Sequence, residues 1–341
     1  MKWFHMKILP ALIAGALAGL MSASLAQTID GDLYQAAKAE KKVVYLGAPD
    51  VRVMQSINAE FVKKFPGIEL EMTKLQPAAA IDRVVSGRAA RRNDVDFIDT
   101  PLGYLPLLFS RDLVEPFDWT GKLGVDPALS LFDGRAVVAW DIDFPISYNT
   151  QSVKADDLRS WEDLTNPRWR GKLLLDPRGL AFAVLALKWG EERTETFIKA
   201  IMANNPIIVS GSTAIIEALA GGQGWIAIGP YGGPVLKSKA EGAPIDVALV
   251  GPVPVMMESA IILKDAPHPN ATRLWVSFLT SAVAQDLLYR GQGLGMVHGP
   301  VLSPLGQLYR KAGLEIVVES TDPAQMQRLV SMASSAIGAR K

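Results

Sequence analysis

The stretch Lys42-Val43-Val44-Tyr45-Leu46-Gly47-Ala48-Pro49-Asp50 reads as a short apolar strand running into a turn, and it opens the repeating unit that decides the architecture. Residues 47–50 are turn chemistry, and Asp50 can cap a helix. Val53, Ile57 and Phe61 then recur at spacing four, one stripe of an amphipathic helix that Pro66-Gly67 ends. Ile68, Leu70 and Met72 alternate with Glu69 and Glu71, which predicts a half-exposed strand. Residues 81–92 predict a second helix. Val95-Asp96-Phe97-Ile98 predicts a third strand, ending at Asp99-Thr100-Pro101. The order βαβαβ implies a largely parallel sheet. Ligands of such sheets sit beyond the carboxyl ends of the strands, where the loops 47–50 and 99–101 lie.

The same pattern recurs further along. Residues 136–147 read as a longer extended stretch. Trp161-Glu162-Asp163-Leu164 opens a short helix that Asn166-Pro167 breaks. Residues 171–175 form a strand, followed by Asp176-Pro177-Arg178-Gly179 and an apolar helix through Trp189. Ile207-Ile208-Val209 precedes Ser210-Gly211-Ser212-Thr213, which predicts a capped helix over 214–220. Trp225-Ile226-Ala227-Ile228 runs into Gly229-Pro230-Tyr231-Gly232-Gly233, and residues 253–263 form a return strand. The chain thus reads as two α/β lobes, each a mainly parallel sheet flanked by helices, joined by two strands near 139–147 and 257–263. Residues 27–143 and 260–341 are assigned to the first lobe, with the packing of the C-terminal stretch left open, and 144–259 to the second.

Composition narrows the function. The chain has 341 residues, 35 basic and 35 acidic, with 49% hydrophobic residues. Disorder needs the opposite balance, and a nucleic-acid binder would show a basic excess. Cysteine is absent and histidine numbers three, so thiolate chemistry and a histidine-rich metal site have no residues to use. Lys2 and Lys7 flank the start of an apolar run over 8–21, followed by Ser22-Ala23-Ser24-Leu25-Ala26. This is the pattern of a secretory signal cleaved after Ala26, shorter than the roughly 20 apolar residues of a membrane span. A hydrolase would need a nucleophile and a base. The sequence carries no Gly-x-Ser-x-Gly elbow, and His268 and His298 lie outside the strand-end loops.

Tyr148-Asn149-Thr150 and the stretch Ser160-Trp161-Glu162-Asp163-Leu164-Thr165-Asn166-Pro167-Arg168-Trp169-Arg170-Gly171-Lys172 resemble a segment of the periplasmic solute-binding proteins of ABC importers, in their ferric-iron-binding-like branch (type II). Ala266-Pro267-His268-Pro269-Asn270-Ala271, with the helix through Phe278 and Gln285, is similar to another segment of that branch. The resemblance spans nearly the whole chain after residue 26. It implies a two-lobe fold closing on a solute at its hinge, no catalysis, a periplasmic location, a monomer, and an inner-membrane ABC permease as partner.

The ferric members hold their metal with one histidine, one glutamate and two adjacent tyrosines, oxygen-rich donors suited to hard Fe3+. Carried onto this chain, those positions fall at Pro49, near Asp99, and at Tyr231-Gly232. Asp99 and Tyr231 remain as ferric ligands, and the other donors are missing. The family also holds an anion at helix starts of the second lobe, which fall near Arg178-Gly179 and Ser212-Thr213. There free amides, the helix dipole and a guanidinium favour an anion. The expected ligand-binding residues are therefore Ala48, Asp50, Asp99, Thr100, Arg178, Gly179, Ser212, Thr213, Tyr231 and Glu258. Several have a plainer reading: Asp50 as a helix cap, Arg178 as a partner of Asp176, Ser212 and Thr213 as caps, Glu258 as a paired buried acid. The expected solute is a small organic anion with no cofactor, and Fe3+ or a ferric chelate is the alternative.

Overall fold

The computed structural model describes residues 31–338; the signal segment read over residues 1–26 lies outside them. Helix α1 (Gly31–Glu40) precedes strand β1 (Lys42–Gly47), α2 (Val51–Lys64), β2 (Glu69–Lys74), α3 (Pro77–Ala89) and β3 (Phe97–Pro101). The short helices α4 (Leu105–Ser110) and α5 (Trp119–Leu123) lead to β4 (Ser130–Leu131) and the long strand β5 (Ala136–Asp143). The second unit runs β6 (Ser147–Asn149), β7 (Leu173–Leu175), α6 (Leu180–Trp189), α7 (Glu191–Ala203), β8 (Ile207–Ile208), α8 (Ser212–Ala220), β9 (Ile226–Ile228), α9 (Gly232–Ala240) and β10 (Ile245–Val247). Strand β11 (Val253–Ile262) returns to the first. Then come α10 (Pro269–Leu279), α11 (Ala282–Gln292), α12 (Pro304–Lys311), β12 (Ile316–Val318) and α13 (Pro323–Gly338).

Two sheets result, ordered β2-β1-β3-β11-β5-β4 and β10-β6-β9-β7-β8, with β12 pairing β11. Strands β1, β2 and β3 are parallel, as are β7, β8 and β9. The strands that cross between lobes are antiparallel to their neighbours: β11 against β3 and β5, β6 against β9. The predicted βαβαβ unit is present with its boundaries shifted by a few residues. Trp161–Thr165 is 3-10 rather than α-helix, closed by a reciprocal Ser160–Asp163 capping box.

The lobes have separate cores. Tyr45, Phe61, Phe97, Trp140 and Trp275 pack in the first, and Phe144, Trp161, Phe182 and Phe197 in the second. The first core extends to Met296. From there the chain changes sides: Val297, Leu305 and Tyr309 pack with Leu174, Ile245 and Val255, and Ala333 and Ile337 pack with Phe182. The stretch assigned by sequence to the first lobe through residue 341 thus divides near residue 297. The crossing of β11 lies at residues 255–257, upstream of the expected 257–263, because Val253 and Val255 belong to the second core and Met257 to the first.

The crossings are held by carboxylates on β5. Asp141 accepts the amides of Val297 at 2.7 Å and His298 at 3.0 Å, and Nδ1 of His298 lies 2.8 Å from it. Asp143 accepts the Tyr309 hydroxyl at 2.6 Å. The lobes also touch through backbone alone: a Cβ on Gly233, at the start of α9, or on Gly293, at the end of α11, would collide with the other's main chain. Gly293 has φ +75° as well, a left-handed conformation that suits glycine. Gly293→Ala is expected to lower stability by about 1–3 kcal/mol through strain and collision, read as a fall of several degrees in the thermal midpoint.

Candidate functional site

The carboxyl ends of β1, β3, β7, β8 and β9 point their loops toward the junction of the lobes. A cleft of about 710 Å³ opens there, within the range of small-molecule sites. The first lobe contributes Asp50, Lys74 and Gln292, and the second Thr213, Glu217 and Lys237. Arg52 and Arg290 add two more cations to the lining. Arg52 pairs with Asp50, Lys237 with Glu241 and Arg290 with Asp286, whereas Lys74 has no ion-pair partner among the described residues.

Asp50 sits in this cleft and also caps α2, its Oδ1 accepting Arg52 N–H at 2.9 Å. Those contacts lower its carboxyl below the ordinary range, the backbone amide of Arg52 contributing most. Thr213 sits opposite, exposed on α8. The expected Ser/Thr cap of this helix is not made. Its N-cap is Gly211, with no side-chain cap, and the helix begins at Ser212. The Ser212 hydroxyl instead accepts Tyr231 N–H at 2.9 Å, tying the start of α8 to that of α9.

Arg178 and Tyr231 cluster beside the start of α8, through Asp176 and Ser212. Arg178 presents its fork to Asp176: Nε lies 3.0 Å from Oδ1 and Nη2 lies 2.7 Å from Oδ2. Asp176 is 5% exposed and Arg178 43%. The same carboxylate accepts the amides of Arg178 and Gly211. Asp176 therefore fixes two strand-end loops at once and occupies one edge of the guanidinium. The Tyr231 hydroxyl lies near the Arg178 guanidinium, while its ring packs edge-on against Phe144 at 5.6 Å. Burial raises the Tyr231 hydroxyl above its ordinary value despite the nearby guanidinium. Gly179 turns away from this cluster: with φ +66° it faces α13, where an added Cβ would press on Ala333.

Beneath the first-lobe loop lies a buried acid pair. Asp99 is 1% and Glu258 4% exposed. Asp99 Oδ1 accepts the Tyr45 hydroxyl at 2.5 Å and the Ala48 amide at 3.0 Å. Its carboxyl also faces that of Glu258. Burial pushes Asp99 up to about 6 and Glu258 well above the usual carboxylate range, the two carboxyls each raising the cost of ionising the pair. Thr100 is fully buried in β3, its carbonyl accepting the Ser259 hydroxyl. Asp99, Thr100 and Glu258 thus underlie the cleft rather than line it. Ala48 spends its amide on Asp99, and Gly47 leaves room for Tyr45 and Asp99, which a Cβ would strike.

Of the expected residues, Asp50 and Thr213 line one cleft, and Arg178, Ser212 and Tyr231 cluster beside the start of α8. Sequence reasoning named Asp176 as a partner of Arg178, which the fork between them shows, and missed Tyr45, Lys74, Glu217 and Gln292; of these only Gln292 carried a local signal, the glycines on both sides of it. Elsewhere in the first lobe, Trp140 is buried in β5 and His268 pairs with Asp96 at 2.9 Å.

As a metal centre the donors do not suffice. Tyr231 stands without a second tyrosine, Pro49 offers no donor, and Asp99 is committed to Tyr45 and Ala48. Among the described residues no group of three or more His, Cys, Asp or Glu side chains could hold an ion.

The sequence model of the family described as bacterial extracellular solute-binding protein matches residues 43–294. Iron uptake protein A2 of Synechocystis is 28% identical over 187 residues, which cover 47% of this chain and 54% of that protein. The chain spans about half the length of the curated relatives it matches. Among solved structures, Trichodesmium IdiA (FutA) in complex with iron and citrate is similar at TM-score 0.69 and 19% identity, over 87% of this chain and 98% of that one. The Atu4243-GABA receptor is similar at TM-score 0.69 and 16% identity, over 88% and 98%. Likeness at that identity concerns the fold.

Four buried carboxyls give the region a pH signature. Burial raises Asp99 and Asp143 to about 6 and Glu319 to about 7, and holds Glu258 well above the usual carboxylate range. Each binds its proton more tightly folded than unfolded, so their contribution to stability is greatest in acid and falls as pH rises from about 4 through about 7. Glu319 Oε1 accepts Met257 N–H at 2.6 Å, a contact that glutamine keeps. Glu319→Gln is expected to flatten that slope in thermal unfolding across pH; an unchanged slope would show that Glu319 does not contribute to it.

Proposed function

The chain belongs to the bacterial extracellular solute-binding proteins, and from that premise we propose that it is the periplasmic substrate-binding component of an ABC importer, capturing a small organic anion between its lobes. The observation that carries the solute class is the cleft lining. Arg52, Lys74, Lys237 and Arg290 line it beside Asp50 and Glu217; three of these cations are paired with carboxylates, whereas Lys74 makes no ion pair among the described residues and acts on Asp50 only from a distance. The Nη1 edge of Arg178, the Thr213 hydroxyl and the uncapped start of α8 add donors on the second lobe. An anion spanning the cleft would exchange its hydration for these donors and draw the lobes together. The closed form would be the one handed to the membrane permease, with the carrier acting as a monomer. Asp99 and Glu258 then serve the site from below, fixing the Ala48 loop.

Ferric iron carried as a chelate is the second reading, favoured by one finding. The relatives include iron uptake proteins, and one similar structure holds iron with citrate. A bare ferric ion asks for several anionic oxygens, which this cleft lacks. A ferric chelate brings its own donors and presents carboxylates to the cations.

Thermal unfolding of the purified chain against citrate, ferric citrate, succinate, sugar phosphates and phosphonates separates these readings. A ligand at about a thousand times its Kd adds about 4 kcal/mol of stability. Stabilisation by an iron-free anion, weakened in Lys74→Ala, is the expected result. Stabilisation by ferric citrate alone, with a visible tyrosinate band lost in Tyr231→Phe, would transfer the assignment to iron.

A further inference from the structure

The cleft contains one neutral side chain whose orientation is fixed by the main chain opposite it. The amide N–H of Asp50 donates to Gln292 Oε1 at 2.8 Å. A backbone N–H can meet only the oxygen of a carboxamide, so the Nε2 end must point the other way. Gln292 is half-buried and lines the cleft, and its Nε2 has no hydrogen-bond partner among the described residues.

Its position is as constrained as its orientation. On one side, a Cβ at Gly291 would press into Val53 of α2; on the other, Gly293 meets the backbone of Gly233 across the lobe junction. Two glycines thus bring this turn hard against α2 and α9, and the residue between them is displayed at the seam of the lobes. Lys74, without an ion-pair partner among the described residues, lies in the same cleft.

We infer that Gln292 is a ligand contact of the first lobe, its side-chain amide donating to an anionic or carbonyl oxygen of the solute. It acts there as a specificity determinant that excludes a cationic group from that point. The inference rests on the anion reading above and adds a residue to it. A carboxamide held by its oxygen is a preorganised donor: it loses little side-chain freedom on binding, and an acceptor matched to it is favoured over a donor, which would leave both unpaired.

The test is Gln292→Glu. Glutamate has nearly the same volume and can still accept the Asp50 amide, but it turns an oxygen and a negative charge toward the ligand. The apo melting temperature should hold, while affinity for the best of citrate, succinate and glycerol 3-phosphate, measured by titration calorimetry, should fall at least tenfold. Gln292→Met, which removes the donor without adding charge, should fall less. If Gln292→Glu binds the same anion as the unsubstituted chain does, the contact is refuted and the anion reading stands. If the unsubstituted chain binds none of the three, the anion reading fails and this inference falls with it.

Discussion

Strand β11 has to serve two cores at once. Val253 and Val255 pack into the second lobe, and Met257 and residues 260–262 into the first. It is covered along almost its whole length and pairs with β3, β5 and β12. An apolar strand would satisfy the burial. This one instead carries Glu258 at the point where its register with β5 shifts. A bulge leaves main-chain groups and side chains aimed away from the regular ladder, and here the deflected carboxyl meets Asp99. Burying two acids together is costly unless one stays protonated. The Tyr45 hydroxyl and the Ala48 amide compensate the other. The cleft loop 47–50 is therefore positioned by the same strand that joins the lobes.

The two lobes close their strand ends differently. In the first, Asp50 caps α2, and the loop before it is held from below by Asp99. In the second, α6 and α8 start without side-chain caps, and the carboxylate that could have capped one of them, Asp176, is spent on Arg178 and the Gly211 amide. The helix start of the first wall is thus capped by its own side chain, whereas the second wall keeps unspent helix-start amides. A hinge between such walls lets a solute complete the second wall only when it also contacts the first, which couples binding to closure.

The sequence made legible whatever was local. The strand-turn-helix of residues 42–64 follows from alternation, turn residues and a cap within a few positions, and the return strand follows from its apolar run. Contacts made across long separations were not legible. Nothing near Asp99 announces that Tyr45, 54 residues earlier, will take its oxygen, so a carboxylate at a strand end read as cleft-facing when it is buried. Gly179 read as an anion-site amide because its local pattern fits one; α13, more than 140 residues later, occupies the space before it. Ser212 read as a cap, and its hydroxyl accepts from Tyr231 instead. The cations of the cleft come from α2, β2, α9 and α11, and only the fold assembles them.

Cleft size and donor chemistry bear on the solute in the same direction. A metal held by the protein alone needs a small cage of converging anionic atoms, and here the acids that could form one face inward, toward Tyr45 and Tyr309, or are already paired. The groups that converge on the open space are mostly N–H and O–H donors from both lobes, with Asp50 and Glu217 among them, across a volume many times that of an ion. The rim cations Arg52, Lys237 and Arg290 are balanced by Asp50, Glu241 and Asp286, so what the cleft offers an anion is Lys74 together with unspent donors that act by hydrogen bonds at short range. That set suits a solute that brings its own negative charge, whether as an organic acid or as the carboxylates wrapped around a metal.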